Sequence, residues 1–189
     1  MSQGNEDMIV ILVAGYSSIT AAVGAFDAVS AVFDQRDASG GAYCNAAVID
    51  PHDMDVSSRV LRETPPSQQG QAVGAHIEGL ARRLGRYLGA GLALSGGPAG
   101  GGGEDLPVVA SAGDSTGPLD RDDLNELGAA QETSSAVLIG IFPPVMRDRI
   151  ATATHAADTR ASKELRASAE QLEGQIAAAE RKSVADAQR

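Results

Sequence analysis

Large aromatic side chains are scarce in this 189-residue sequence: tryptophan is absent, and aromatic residues make up only 3% of the chain. A core without them must be built from small side chains and closely approaching backbones, and it buries less apolar area per residue. Stabilisation by a partner subunit is therefore expected. The length leaves room for one ordinary domain with an appendage, but not for two full domains.

Cysteine is limited to a single residue, Cys44. One cysteine excludes an intramolecular disulfide and is typical of proteins in a reducing compartment. A free cysteine usually behaves as a small apolar side chain. We therefore expect a cytoplasmic protein in which Cys44 is a half-buried thiol.

Basic residues are outnumbered, with 15 lysines and arginines against 25 acidic residues and a formal net charge of -10. A surface of this sign repels phosphate backbones and anionic membranes. Nucleic acid is therefore excluded as an expected partner, and binding to membranes is disfavoured.

Long uninterrupted hydrophobic runs are also missing. The longest stretch without a charged side chain, Met8–Phe26, contains Ser17 and Ser18 near its middle, and no basic residue precedes Arg36. Signal peptides and stable membrane spans carry basic flanks. We predict instead a buried strand that ends at Gly15, followed by an amphipathic helix capped by one of the two serines.

A second short apolar run, Ser134–Phe142, matches the first in its β-branched residues and predicts another buried strand. Between the two runs, Ala42–Asp50 and Val56–Glu63 predict a hairpin, and a helix follows from Val73. Further along, Asp120 is placed to cap a short helix that ends near Gly128. The helix from Val73 carries small residues at every fourth position, a spacing that lets two backbones approach closely: Ala81, Gly85, Gly89 and Ala93.

The order of these elements is strand, helix, strand, strand, helix, strand. It predicts an α+β fold, a ferredoxin-like βαββαβ sandwich over residues 8–144. A disordered N-terminus (1–7) precedes it, a glycine-rich helical insertion (70–116) interrupts it, and a helical C-terminal extension (145–189) follows.

In that topology the closing strand Ser134–Phe142 is an edge strand, yet both of its faces are apolar. An apolar edge promotes aggregation unless something covers it. The cover would be a second subunit, the Val73 helix or the C-terminal helix, and we expect a homo-oligomer, with a dimer as the first choice. The predicted interface residues come from the strand and the C-terminal extension: Val137, Leu138, Ile139, Ile141, Phe142, Leu165, Leu172 and Ile176.

The segment Gly117–Gly128 (GPLDRDDLNELG), followed by Ser134–Ile139 (SSAVLI), resembles the closing helix and strand of a bacterial domain family of unknown function, the one numbered 1269. The resemblance covers about residues 8–153 and implies a ferredoxin-like fold with a Gly/Ala-rich helical insertion. It also implies a general link to stress responses and, through the insertion, to membranes, but it supplies no catalytic residues. In this chain Arg82 and Arg83 are among the polar residues that interrupt the insertion, which disfavours membrane association.

The densest cluster of chemically active side chains is Asp50, His52, Asp53 and Asp55. An imidazole with three carboxylates offers ligands for a divalent cation. Neighbours on a strand point to opposite faces, however, so a solvated acidic turn is favoured and no metal is assigned. His76 and His155 have no further ligand one helical turn away, and we expect both at the surface.

Catalytic residues and a bound cofactor are not predicted. The basic triplet Arg82, Arg83 and Arg86 leaves open an amphipathic surface that binds anionic lipid, an acidic partner or a phosphate ligand, but arginines in water beside a helix packed in its own protein are favoured. The sequence thus predicts a non-enzymatic, self-associating module with a regulatory or stress-linked role. The alternatives are a small-molecule or metal-binding domain and a peripheral membrane protein.

Overall fold

A computed structural model describes residues 8–35, 43–51, 60–64, 79–94 and 117–187. The strands are β1 (Met8–Tyr16), β2 (Asn45–Ile49), β3 (Val60–Glu63), β4 (Ala136–Phe142) and β5 (Thr159–Arg166). The helices are α1 (Ile19–Asp34), α2 (Leu80–Leu94), α3 (Arg121–Ala129), α4 (Arg147–Ala153) and α5 (Ala169–Ala187). A 3-10 turn, Pro144–Met146, leads into α4. The predicted N-terminal tail and most of the predicted insertion lie outside the described residues.

The strands form one five-stranded sheet in the order β3-β2-β4-β1-β5, and all four neighbouring pairs are antiparallel. This confirms the α+β class. The position predicted for β4 is wrong, because β4 lies in the middle of the sheet. Ile139 faces Val13 of β1 on one side and Ala47 of β2 on the other.

The predicted topology missed β5. Its sequence, TRASKELR, lies in the segment predicted as helix, yet it pairs along the whole of β1, with Lys163 opposite Ile11. Residues with good helix propensity form a strand here because pairing with β1 decides their conformation. The predicted ferredoxin-like assignment, with β4 as the closing strand, is therefore not confirmed. No boundary falls at residue 144, since residues 145–187 add α4, β5 and α5 to the same fold.

Helices cover both faces of the sheet, which is why its central strands are apolar on both sides. On one face Ile11 and Ile139 pack with Leu84 of α2 and Leu172 of α5. On the other face α1 and α4 pack against the intervening side chains. Cys44 is half-buried beside this second core, with its Sγ atom 3.9 Å from the Met146 Sδ atom.

All the residues predicted for a subunit interface lie in the core of the single chain. Each has a relative exposure of 5% or less: Val137, Leu138, Ile139, Ile141, Phe142, Leu165, Leu172 and Ile176. Of the three predicted covers, the helix from Val73 and the C-terminal helix are confirmed, because α2 and α5 pack on one face of β4 while α1 packs on the other, and a second subunit is not needed there. Any self-association must use another surface.

Candidate functional site

The predicted metal cluster is only partly described. Asp50 follows β2 and is half-buried, whereas His52, Asp53 and Asp55 lie outside the described residues. Within the described ranges, no group of three or more histidine, cysteine, aspartate or glutamate side chains could hold a metal ion. His155 is exposed, and its Nδ1 atom lies 2.9 Å from the Thr152 carbonyl oxygen.

The arginines of the basic triplet were predicted to lie in water, but Arg83 does not. Its Nη2 atom donates to Glu180 Oε2 at 2.8 Å, and its Nη1 atom donates to Glu173 Oε1 at 3.1 Å. The hydrogen bond to Glu180 is the main reason that the pKa of Arg83 is raised. Its side chain is only 16% exposed. Arg83 therefore fastens α2 to α5 and is not part of a free basic surface.

The N-terminal end of α2 is also held by internal contacts. Asn45 Oδ1 accepts the backbone N–H of Ala81 at 2.8 Å, and Asn45 Nδ2 donates to Thr64 Oγ1 at 3.3 Å. Gly79, with a φ of 75°, takes the left-handed conformation just before the helix. These contacts tie α2 to β2 and to the end of β3, a structural role that the sequence pattern did not reveal.

Hydroxyl groups near the starts of β4 and β5 donate hydrogen bonds to the backbone. Thr159 Oγ1 and Ser134 Oγ both donate to the Ala130 carbonyl oxygen, at 2.8 Å and 3.1 Å. Ser18 caps α1, and its Oγ atom accepts the N–H of Ala21 at 3.3 Å. A hydroxyl committed to a carbonyl oxygen is not activated as a nucleophile, which needs an adjacent base. These groups hold loops and helix ends in place.

The surface that stands out is the outer edge of β5. In the part of the chain that the structure describes, β5 pairs with β1 alone and ends the sheet. Every second side chain from Asp158, the residue just before β5, to Arg166 is exposed, and we call these five residues the β5 charge row: Asp158, Arg160, Ser162, Glu164 and Arg166.

Helix α4 holds two members of the β5 charge row. Arg147 forms an ion pair with Glu164, and the Nη1 atom of Arg160 donates to the Ala151 carbonyl oxygen at 3.2 Å. On the opposite face of the strand, Lys163 forms an ion pair with Asp123 of α3. These contacts therefore define the positions of three charged side chains of the strand, Arg160, Lys163 and Glu164.

Sequence reasoning missed this edge because it assigned residues 145–189 to a helical extension. A weak signal was present, because polar side chains at 158, 160, 162, 164 and 166 alternate with Thr159, Ala161, Lys163 and Leu165, of which only Ala161 and Leu165 are apolar. A period of two is typical of a half-buried strand. The opposite edge, β3, has only four residues, and its pairing with β2 shifts register between Val48 and Ile49.

Comparison with known proteins adds no identity. A scan of protein-family models, a search of curated proteins and a search of solved structures each found no match to this chain. The resemblance to the family numbered 1269 therefore stays a prediction. Among the helices of the described residues, none combines the length and the apolar character that crossing a membrane requires.

Proposed function

We propose that this chain is a non-enzymatic module that self-associates through the outer edge of β5. The observation that carries the proposal is an eight-residue strand that ends the sheet and, among the described residues, is paired on one side only. An edge strand presents a row of N–H and C=O groups to which another strand can add. A cytoplasmic location and a regulatory or stress-linked role belong to the same proposal.

The burial pattern favours the edge of the sheet, and not its faces, as the surface at which a partner binds. The apolar side chains of β1, β2 and β4 are covered by helices of the same chain, so a partner cannot reach them without unfolding. The edge needs no such rearrangement. Each backbone hydrogen bond gained across it contributes about 0.5–1.5 kcal/mol.

The association is expected to be weak and dependent on concentration. The exposed side chains of β5 are polar, so pairing two edges buries little apolar area, which is the main source of tight association. A reversible dimer of this kind suits a regulatory module, since a modest change in protein concentration changes the dimer fraction.

Sedimentation equilibrium over a concentration series tests self-association, and hydrogen exchange locates it. We expect a dimer that dissociates on dilution, with slower exchange of the amides of residues 159–166 at high concentration only. The amides of β3 (Val60–Glu63) are the internal control, and their exchange should not depend on concentration. A protein that stays monomeric up to hundreds of micromolar overturns the proposal, as does a dimer in which β5 exchange is unchanged.

A further inference from the structure

We propose that two copies of the chain pair their β5 strands antiparallel about a two-fold axis that passes beside Ser162. The inference rests on the proposed function and specifies its partner as a second copy in one register. The observation behind it is the order of charges in the β5 charge row: negative Asp158, positive Arg160, neutral Ser162, negative Glu164 and positive Arg166. Read in the opposite direction, this order has every sign reversed.

Symmetry limits the registers that two identical strands can adopt. A two-fold axis that relates antiparallel neighbours runs perpendicular to the sheet, so each side chain stays on its own face. Directly opposed residues share a face in an antiparallel pair. In every allowed register one residue therefore lies directly opposite its own copy, and the axis passes between the two. We name each register by that residue, and only a few registers need to be compared.

The register centred on Ser162 sets unlike charges against each other at every charged position of the row. Arg160 of one copy faces Glu164 of the other, Asp158 faces Arg166, and the symmetry repeats both pairs. On the other face of the strand, Ala161 faces Lys163 and Thr159 faces Leu165, so no like charges meet there. Opposite-charge pairs across strands are stabilising.

The neighbouring registers bring like charges together. An axis at Arg160 or at Glu164 sets that residue against its own copy. An axis at Lys163 opposes two lysines and also sets Arg160 against Arg166, whereas an axis at Ala161 sets Asp158 against Glu164. Like charges directly opposite each other are destabilising, so among the registers that pair at least five β5 residues of each copy, with axes at positions 161 to 164, only the Ser162 register is free of such a pair.

Helix α4 positions two of these charges for the pairing. The contacts of Arg147 with Glu164 and of Arg160 with the Ala151 carbonyl oxygen hold both side chains on the face of the sheet beside the edge. Side chains already ordered in the monomer lose less conformational freedom when they pair. The second copy would thus meet a preformed row of charges.

Two single charge reversals test the pairing. Arg160→Glu and Glu164→Arg each set like charges opposite each other in the homodimer, and each should weaken it by about tenfold or more. When the two variants are mixed, unlike charges oppose each other again at both positions, so a heterodimer should form and should be tighter than either variant homodimer. The control is Arg62→Glu on the opposite edge strand β3, which makes the same change in net charge as Arg160→Glu and should leave the dimer intact. If the mixed variants do not associate while the parent does, the charge pairing is wrong.

Oxidative cross-linking tests the register itself. In antiparallel strands opposed Cα atoms lie about 4.5–5.5 Å apart, within the range for a disulfide. Ser162→Cys should therefore cross-link two copies rapidly, whereas Ala161→Cys, which faces position 163 of the other copy, should not. The parent, whose single cysteine is Cys44, is the control for adventitious oxidation. A dimer that fails to cross-link at position 162 overturns the register but leaves self-association through β5 standing; a monomer at all concentrations overturns the proposed function as well.

Discussion

Gly15 and Ser134 are packed so closely that there is no room for a methyl group between them. A Cβ atom built on Gly15 would lie 2.0 Å from Ser134 Oγ and 2.3 Å from Thr159 Oγ1. It would also lie 2.6 Å from the Ala130 carbonyl oxygen, which accepts hydrogen bonds from both hydroxyls. The absence of a side chain at Gly15 thus allows β1 to run beside the loops that lead into β4 and β5.

Gly15→Ala should therefore destabilise the protein by about 3 kcal/mol, near the upper end of the usual cost of overpacking, because a backbone carbonyl cannot move aside as a side chain can. Gly24→Ala is the matched control, since a Cβ atom there meets nothing within 4 Å inside α1. It should stabilise the protein by about 0.5–1 kcal/mol through its helix propensity. Urea unfolding of both variants measures the difference, and a similar effect at the two positions would contradict the packing argument.

Elements with strong local signals could be predicted from the sequence. The Ser18 cap of α1 is confirmed, and so is the Asp120 cap of α3, where Asp120 and Asp123 form a capping box. Capping depends on residues within one turn of each other, so a short stretch of sequence is enough to reveal it. The apolar runs of β1 and β4 likewise identify buried strands.

The parts that depend on distant contacts could not be predicted. Whether Thr159–Arg166 forms a helix or a strand is decided by pairing with β1, about 150 residues away in the chain. The central position of β4 follows from two other distant pairings, with β1 and with β2, and an interface was predicted from its apolar faces only because β4 was taken for an edge strand. The candidate edge was therefore invisible until β5 was known.

A substitution at Gly85 tests the prediction that small residues on α2 allow this helix to pack closely against its neighbours. A Cβ atom at this position would lie 2.4 Å from Ile139 Cδ1 and 2.6 Å from Ile49 Cδ1. Gly85→Ala should cost about 1–3 kcal/mol, because core side chains must leave their preferred rotamers. Ile139→Val removes the closer of the two methyl groups.

The two substitutions at Gly85 and Ile139 should consequently cost less together than the sum of their separate costs. A double-mutant cycle in urea measures this coupling. Gly174→Ala in α5 is the control for helix propensity, because a Cβ atom there has no neighbour within 4 Å. Strictly additive effects would show that α2 moves away from the sheet as a whole. The contact between a Cβ atom at position 85 and Ile139 Cδ1 would then not be the cause of the destabilisation.

The contact between α2 and α5 depends on Arg83. Arg83→Met removes hydrogen bonds to two carboxylates, Glu173 and Glu180, and leaves both without their cation. We expect a loss of about 1–2 kcal/mol, since hydrogen bonds to charged groups are stronger than neutral ones but Glu180 is partly exposed. Arg62→Met is the control: its ion pair with Asp27 at 3.6 Å has both side chains more than half exposed. Equal losses of unfolding free energy in the two variants would contradict the structural role of Arg83.

All tyrosines of this chain are perturbed in the same direction, which gives a spectroscopic test. Burial raises the pKa of Tyr16 to about 12, and burial also raises the pKa of Tyr43 and of Tyr87. In the unfolded chain tyrosine ionises at about pH 10. A folded-state pKa above the unfolded value means that the unfolded state loses protons first, so stability is fully present below about pH 10 and is lost as the pH rises toward 12.

The ultraviolet absorbance of tyrosinate should therefore stay low in the native protein above pH 10, whereas the same titration in concentrated urea should show half-ionisation near pH 10. No tryptophan is present to obscure the signal. The free energy of unfolding should fall across the same interval, by about 2 kcal/mol if Tyr16 alone is counted, and the urea midpoint should fall with it. Tyr87→Phe is a matched variant that removes one of the perturbed groups and should reduce the fall. Native protein that ionises its tyrosines near pH 10, with its far-ultraviolet circular dichroism unchanged, would show that these hydroxyls are accessible to water in the folded state.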